Sequence, residues 1–290
     1  MDIIDTHPHV FSPASDRYPV APVGGEQSAW SLGVDVGPDQ LVAAMDSASV
    51  DHAVVVQTST VYGYDNNFLA DGVDRFPSRL HGVCSVDARS PSVAADLDHW
   101  IDDRGMVGVR LFAASSTAGE IFSLTDPDLE PFWKAADRLQ IPVDVQVRYS
   151  ALGEVDQTAT AFPGVPLVLD HIGGAPVRTG PCREVGSDLF ALAAHEQVHI
   201  KFSGHNLDAA DEGPESAAGL VSALVEAFGA ERVLWGSNFP NTFGTLPPTI
   251  DTYQAMVDKA LRAIDHLGES DQQHVMAGTA RAVYLGGSDV

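Results

Sequence analysis

The chain opens with Met1-Asp-Ile-Ile-Asp-Thr-His-Pro-His9, a short apolar strand followed at once by two histidines. Alternate side chains of an extended chain share a face, so His7 and His9 are expected to point the same way. Two imidazoles at a strand end can hold a metal, or polarise a carbonyl and move protons. This stretch therefore predicts the first strand of a sheet with chemistry at its carboxyl end.

Strand-like and helix-like segments alternate along the rest of the chain. The β-branched run Ala53-Val-Val-Val-Gln57 is typical of a buried parallel strand, and Pro38 begins a helix with Leu41 and Met45 at helical spacing. Eight strand-like runs, each followed by a helix-like segment, form the pattern of a (β/α)8 TIM barrel. An open doubly wound sheet is the main alternative, but the glycine-rich phosphate turn that usually follows its first strand is absent.

We predict that residues 1–290 form a single barrel domain. The segment 10–37, rich in proline and glycine, has no helical period and is expected to form a long loop after the first strand. Such an insertion is a candidate wall for a pocket.

The composition excludes several classes of function. The 16 Lys and Arg residues stand against 40 Asp and Glu, a formal charge of −24, which repels phosphate backbones and anionic lipids. We therefore expect a small-molecule substrate, with no nucleic-acid or membrane partner, and leave a homo-oligomer open. No apolar run reaches membrane-spanning length and no basic region precedes one at the N-terminus, so a cytoplasmic location is expected. Cys84 and Cys182 are too far apart to suggest a disulfide framework or a metal motif.

Polar residues recur where the strand-like runs end. In a barrel these ends meet at one mouth, so they are expected to form one ring around a substrate. The ring comprises His7 and His9, Gln57 and Ser59, Ser85 and Asp87, Arg110, Gln146, His171, Ser203 and His205, and Asn238. The aromatic residues Tyr18, Trp30, Tyr62 and Tyr64 are candidates for stacking or hydroxyl contacts, although core packing explains each equally well.

Seven motifs follow one another in a fixed order along the chain. They are Ile4-Asp-Thr-His-Pro-His9, Val56-Gln-Thr-Ser-Thr-Val-Tyr-Gly-Tyr-Asp-Asn66, Gly108-Val-Arg-Leu111, Leu169-Asp-His-Ile-Gly-Gly174, Ile200-Lys-Phe-Ser-Gly204, Trp235-Gly-Ser-Asn-Phe-Pro240 and Gly278-Thr-Ala-Arg-Ala-Val-Tyr-Leu285. Together they resemble the amidohydrolase-2 group of the amidohydrolase superfamily, most closely its 2-pyrone-4,6-dicarboxylate lactonase and sugar-lactonase clade.

The resemblance implies a barrel in which His7, His9 and His171 face the substrate. In metal-dependent relatives these histidines join a strand-five histidine and a strand-eight aspartate around a divalent ion. In the lactonase clade the histidines polarise the lactone carbonyl without an obligatory metal, and the strand-eight aspartate activates water. This chain departs from both patterns, because Gln146 stands at the strand-five position and Asn238 at the strand-eight position.

The two departures, Gln146 and Asn238, affect whether the protein needs a metal cofactor and which residue can act as its general base. Glutamine is a poor zinc ligand, so we predict no obligatory cofactor, with one zinc ion on His7, His9 and His171 as the alternative. A neutral asparagine cannot take a proton from water. Asp170 or Asp5 is one replacement, although a side chain beside a mouth-facing histidine should point to the other side of its strand. One of His7, His9, His171 or His205 is another.

In a third interpretation, the protein does not activate water at all. The pocket would then carry out an isomerisation, elimination or decarboxylation with Asn238 orienting the substrate, or would only bind a ligand. Our leading hypothesis is a hydrolase of a small cyclic ester or related carboxylic acid. In it His7, His9 and His171 polarise the carbonyl and Asn238 orients the nucleophile. The expected substrate contacts are Arg110, Gln57, Ser59, Gln146, His205 and Tyr18.

The number of arginines predicts the charge of the substrate. Relatives that bind a dicarboxylate surround it with several arginines, because each guanidinium can bind a carboxylate with two hydrogen bonds. Here Arg110 matches, whereas Gly174, Ser116 and the stretch His205-Asn-Leu207 stand where other members carry more. We therefore expect a less anionic ligand: a monoacid, a lactone or a larger ring.

Overall fold

Eight parallel strands form one sheet whose spatial order follows the order of the chain. The computed structural model of the protein describes residues 1–12, 14–113, 122–241 and 249–287. The strands are β1 (Ile4–Asp5), β2 (His52–Val56), β3 (Leu80–Ser85), β4 (Gly108–Phe112), β5 (Val143–Gln146), β6 (Leu167–Leu169), β7 (Val198–Ser203) and β8 (Val233–Gly236). Where β1 meets β8, the backbone N–H and the hydroxyl of Thr6 both donate to the Trp235 carbonyl, at 3.2 and 2.6 Å. The predicted (β/α)8 barrel is confirmed.

Helices follow each strand and cover the outside of the sheet. They are α1 (Pro38–Ser47), α2 (Ser59–Tyr62), α3 (Asn67–Arg75), α4 (Val93–Asp98), α5 (Glu130–Leu139), α6 (Leu152–Ala161), α7 (Cys182–Val185), α8 (Ser187–Ala191), α9 (Gly204–Asp211), α10 (Ala217–Phe228), α11 (Ile250–Ile264), α12 (Glu269–Gln273) and α13 (Thr279–Tyr284). Proline begins α1 as predicted, because its fixed φ suits a first turn. Within the described residues, no helix is both long and apolar enough to cross a bilayer.

The segment 10–37 contributes two small pieces of regular structure in its described residues. Phe11 and Val36 pair in an isolated antiparallel bridge, which closes the base of the segment. A single 3-10 turn, Ala29–Ser31, lies between them in the chain. This turn carries Trp30 to within 5.7 Å of the His9 ring, measured between ring centroids.

The interior of the barrel has an apolar lower part and a polar upper part. One set of buried side chains fills the lower part together with Tyr284 of α13: Ile4, Val54, Val56, Val83, Val168 and Leu234. These residues alternate with outward-facing ones that pack against the helices. The alternation sends Asp144 of β5 and Lys201 of β7 inward as well, and both are fully buried.

Asp5 joins the first strand to the last. Its carboxylate accepts hydrogen bonds from the backbone N–H of Ser237 at 2.7 Å, the backbone N–H of His7 at 3.1 Å and the Tyr253 hydroxyl of α11 at 3.0 Å. Burial raises the pKa of Asp5, and these hydrogen bonds oppose that rise. Asp5 therefore serves the closure of the barrel rather than the chemistry at its mouth.

We expect Asp5→Ala to lower the free energy of unfolding by about 3 kcal/mol, because it leaves buried donors without an acceptor. Equilibrium unfolding in urea measures the change. The exposed Asp16→Ala is the matched control and should stay within about 0.5 kcal/mol of the parent. Equal stability of the two variants would contradict the role given to Asp5.

Candidate active site

A cavity of about 770 Å³ opens at the carboxyl ends of the strands. Most of the predicted ring lies in its wall: His9, Gln57, Ser59, Arg110, Gln146, His171, His205 and Asn238. Trp30, Phe112, Asp170 and Asn206 also line it. The segment 10–37 supplies part of the wall through Ser28, Ala29 and Trp30, as its position after β1 suggested.

Four members of the predicted ring, His7, Ser85, Asp87 and Ser203, lie outside the cavity wall, and so does Tyr18. Tyr18 is absent from the cavity wall, because its hydroxyl donates to Asp71 of α3 at 2.6 Å and its ring packs edge-on against Phe68. The expected substrate contact by Tyr18 is therefore corrected to a packing role. His7 is fully buried beneath the floor of the cavity. Ser116 lies outside the described residues.

Four imidazoles form a continuous row across the floor of the site. Their ring centroids are separated by 5.0 Å from His9 to His7, by 4.6 Å from His7 to His171 and by 4.7 Å from His171 to His205. The N-terminal pair and the strand-six histidine thus meet, although more than 160 residues separate them in the chain. What each imidazole contributes to a reaction stays a prediction.

Hydrogen bonds decide which nitrogen of each cavity-lining imidazole carries the proton. The Nδ1 atom of His9 lies 2.8 Å from the carbonyl oxygen of Val56, which can only accept, so Nδ1 is protonated. The hydroxyl of Ser203 lies 2.8 Å from His171 Nδ1, 3.0 Å from His205 Nδ1 and 3.0 Å from Asn206 Oδ1. Asn206 Oδ1 already accepts the backbone N–H of Ser203.

The Ser203 hydroxyl therefore donates to Asn206 and accepts from both histidines. This arrangement satisfies all three contacts with one hydrogen and two lone pairs. It leaves Nε2 as the unprotonated nitrogen of His171 and His205, as it is in His9. At Nε2, the imidazoles of His9 and His171 consequently offer a lone pair rather than an N–H group.

His7 differs because its neighbours are charged. Its Nδ1 atom lies 3.2 Å from Asp170 Oδ1 and 3.5 Å from Lys201 Nζ. The carboxylate favours a proton on Nδ1, whereas the ammonium can only donate and favours a bare Nδ1. The Nε2 atom of His7 is buried and has no hydrogen-bond partner among the described residues. A buried ring nitrogen without a partner costs about 1–3 kcal/mol, which is typical of a site shaped for something other than stability.

All four imidazoles are neutral at physiological pH. Burial lowers the pKa of His7 to about 4 and that of His205 to about 4. Burial, reinforced by the charge of neighbouring groups, holds the pKa of His9 and of His171 well below 6.5. A neutral imidazole with a bare Nε2 can accept a proton but cannot donate one to a carbonyl.

Asp170 points into the site, contrary to the expectation from strand alternation. The expectation assumed that strand six continues through His171. In fact β6 ends at Leu169, and Asp170 keeps the inward parity of Val168. His171 reaches the cavity as well, because its backbone is left-handed with φ 53° and ψ 43°. The turn breaks the alternation and puts neighbouring side chains on the same side.

Asp170 is an anion held among cations. Its Oδ2 accepts from Arg110 Nε at 2.9 Å, and its Oδ1 lies 3.2 Å from Lys201 Nζ. Burial opposes ionisation, but Lys201, His7 and Arg110 outweigh it and keep the pKa of Asp170 well below 3.8. A carboxylate with so low a pKa is a poor base, so its part is to orient Arg110 and His7.

The Arg110 guanidinium is held by hydrogen bonds on one side and lines the cavity on the other. Besides Asp170, it donates through Nη2 to Gln146 Oε1. Its Nη1 group has no partner among the described residues, and Arg110 lines the cavity. Gln146 therefore contributes mainly by holding Arg110. Gln57 is also engaged, since its amide nitrogen donates to the carbonyls of Gly63 and Asp65 at 3.3 and 2.8 Å.

Asn238 lies at the end of β8 with a left-handed backbone, φ 62°. Asparagine tolerates this conformation better than most residues. The backbone N–H of His9 donates to the carbonyl of the next residue, Phe239, at 2.7 Å. This bond brings the chain segments that carry His9 and Asn238 together at one edge of the cavity.

Sequence reasoning missed Lys201 and Asp144, which lie beneath the histidines. Lys201 Nζ donates to Asp144 Oδ2 at 2.6 Å, and Tyr284 donates to the other oxygen of the same carboxylate. A signal was present in the runs Val198-His-Ile-Lys-Phe-Ser203 and Val143-Asp-Val-Gln146. Each places a charge in mid-strand at a position that alternation sends into the barrel.

The donor types at the site are those that a divalent cation takes, but their arrangement does not fit a resident metal. Ligand nitrogens of a tetrahedral zinc lie about 3.3 Å apart. Within the described ranges, the residues whose ligand atoms come within 4.8 Å of one another are His7, Asp144 and Asp170, not the three imidazoles. The ammonium of Lys201 already lies against all three of those residues.

Comparison with known proteins now identifies the class. The sequence profile of the amidohydrolase family matches residues 4–285. The chain belongs to the amidohydrolase family. It is 28% identical over 242 residues to the L-fucono-1,5-lactonase of Burkholderia ambifaria, covering 82% of this chain and 80% of that protein. It is 25% identical over 245 residues to the 4-sulfomuconolactone hydrolase of Rhizobium radiobacter, covering 82% and 75%.

Solved structures agree on the fold. A protein of Acinetobacter baumannii, described as a probable 2-pyrone-4,6-dicarboxylic acid hydrolase with citric acid bound, superposes with a TM-score of 0.76 at 20% identity. The match covers 98% of this chain and 99% of that one. The family resemblance that the motifs indicated is confirmed.

We expect acid to destabilise the protein through the buried histidines. The unfolded chain binds protons near pH 6.5, whereas folded His7 and His205 bind them only near pH 4, so stability falls as the pH drops through this window. Urea unfolding between pH 7.5 and 4.5 measures the loss. Burial raises the pKa of Asp5 and of Asp144, so these two carboxyl groups stabilise the folded protein as the pH falls. The histidines with a lowered pKa outnumber them, so we expect a net loss of stability. His205→Asn should flatten the slope, and an unchanged slope would contradict the assignment.

Proposed function

We propose that the protein hydrolyses a small lactone, opening the ring to a hydroxy acid. The observation that carries the proposal is the pairing of two kinds of group in one cavity. Arg110 presents N–H groups that no described residue uses, and neutral imidazoles present bare nitrogens. Ester hydrolysis needs both, a donor for the carbonyl oxygen and an acceptor for the proton of water. Relatives named as lactone hydrolases support the same class of reaction.

Arg110 is the group that polarises the lactone carbonyl. Our sequence hypothesis gave this task to the histidines, but an imidazole with no proton on Nε2 cannot stabilise a developing oxyanion by hydrogen bonding. The guanidinium is held by Asp170 and Gln146, so its orientation is set before the substrate binds. A fixed cation of this kind stabilises the tetrahedral intermediate without having to rearrange.

His9 is the base. Its Nδ1–H is held by the Val56 carbonyl, so Nε2 is ready to accept a proton from water. Asn238, at the neighbouring strand end, orients the water through its carboxamide. The water oxygen bonds to the carbonyl carbon and its proton passes to His9 Nε2. The ring C–O bond then breaks, and the proton from His9 passes to the leaving oxygen, which completes the hydroxy acid.

The cavity favours a hydroxylated ring of low charge. Its wall carries the carboxamide of Asn238 and the hydroxyl groups of Ser59 and Thr60, which recognise hydroxyls. Arg110 is the one lysine or arginine in the described wall, so a dicarboxylate would be poorly neutralised. Trp30 and Phe112 add apolar faces for the ring itself.

The function is tested by assaying three lactones in water enriched in oxygen-18. We expect a polyhydroxylated 1,5-lactone to be opened faster than unsubstituted valerolactone or a lactone with two carboxylates, with one labelled oxygen in each new carboxylate. Arg110→Met should lower kcat/KM by about 100-fold to 1,000-fold, because it removes the oxyanion donor. Absence of turnover above the buffer rate, or release of carbon dioxide without label, would refute hydrolysis.

The base is tested by a substitution and a pH profile. His9→Asn should lower kcat by about 100-fold to 10,000-fold, because no acceptor remains beside the water. Because the pKa of His9 lies well below 6.5, the rate of the parent should stay level as the pH falls through 6.5 and decline only in stronger acid. The exposed His99→Asn is the matched control and should retain full activity. An acid limb centred at pH 6.5 would contradict the assignment to His9.

A further inference from the structure

Lys201 is fully buried beneath the histidine row, among three groups that are typical metal ligands. Its Nζ atom lies 2.6 Å from Asp144 Oδ2, 3.2 Å from Asp170 Oδ1 and 3.5 Å from His7 Nδ1. The ligand atoms of those three residues all lie within 4.8 Å of one another. One imidazole nitrogen and two carboxylate oxygens are a donor set that divalent zinc, manganese or iron accepts.

The Lys201 ammonium occupies the position that a metal ion bound by these three residues would take. Two buried carboxyl groups this close are both ionised only beside a cation, since the cost of burying an unpaired charge is several kcal/mol and one of them would otherwise keep a proton. Lys201 supplies that cation from the end of its own side chain. Arg110 and Lys201 together provide two positive charges against the two carboxylates Asp144 and Asp170, with His7 neutral.

The frame around the ammonium is held by other groups. The second oxygen of Asp144 accepts from the Tyr284 hydroxyl, and the second oxygen of Asp170 accepts from Arg110 Nε. The Tyr284 ring lies 5.7 Å from Lys201 Nζ, measured to its centroid. The carboxylates would therefore keep their places if the lysine side chain were shortened.

We propose that Lys201 is a built-in cation occupying a latent divalent-metal site made of His7, Asp144 and Asp170. The parent protein excludes a metal from this position because the ammonium fills it. Shortening the side chain leaves a buried space with an excess of negative charge. A divalent ion of suitable size then binds there.

The test compares three proteins. Lys201→Ala removes the charge and opens the space, whereas Lys201→Met removes the charge but fills the space with an apolar chain of similar length. After dialysis against zinc and then buffer, we expect Lys201→Ala to retain one more equivalent of zinc than the parent or Lys201→Met. At zinc about 100-fold above Kd its Tm should rise by about 4 °C, because the ion binds only the folded state.

A double variant ties the extra ion to the site. Asp144→Asn combined with Lys201→Ala should lose the additional equivalent. Methylammonium, which replaces the missing end of the lysine, should raise the Tm of Lys201→Ala and should compete with zinc. Zinc content equal to that of the parent, or an extra equivalent that survives in the double variant, overturns the proposal.

The outcome is also decided if Lys201→Ala does not fold in plain buffer. Refolding it with zinc or methylammonium should then restore the near-ultraviolet circular dichroism of the parent. The double variant with Asp144→Asn should not respond to zinc. Failure of both cations to restore the signal overturns the proposal. None of these measurements depends on lactone hydrolysis, so they stand apart from the proposed function.

Discussion

The buried charge of Asp170 is the constraint on which the site depends. This one carboxylate accepts from Arg110, lies against Lys201 and faces Nδ1 of His7. Each contact sets a property of the neighbour: the direction of the Arg110 guanidinium, the place of the ammonium, and the charge that His7 Nδ1 faces. Because the carboxylate is buried, these partners take the place of water around it. Loss of any one of these contacts of Asp170 would therefore disturb the other two.

Neutrality of the histidines follows from the same burial. Four adjacent imidazoles cannot all be charged at a largely buried site, and their pKa values fall accordingly. The Val56 carbonyl and the Ser203 hydroxyl then decide where the single proton of each cavity-lining ring resides. The floor of the cavity becomes a surface of acceptors. The positive charge that the substrate meets comes instead from Arg110, which, unlike the histidines, remains charged at any relevant pH.

Much of this could be read from local patterns. The eight strand–helix units, the proline at the start of α1 and the ring of polar strand ends depend on periodicity, which survives in any sequence that folds as a barrel. The same reasoning failed at Asp170, where alternation was extended one residue past the end of β6. A left-handed residue such as His171 leaves little mark in the sequence, whereas a glycine or an asparagine would have suggested it. Tyr18 was misplaced because an irregular segment has no period from which to infer its direction.

The sequence by itself determined the barrel, the family and the residue types at the mouth, because these follow from hydrophobic alternation and from motifs whose order is fixed along the chain. Only the tertiary structure decided which nitrogen of His9 and of His171 carries the proton, that Asp170 faces the site and that Lys201 takes the place of a cation. These are properties of contacts between residues far apart in the chain. Lys201 and His7, for example, are separated by 194 positions, and their 3.5 Å approach exists only once the barrel has closed.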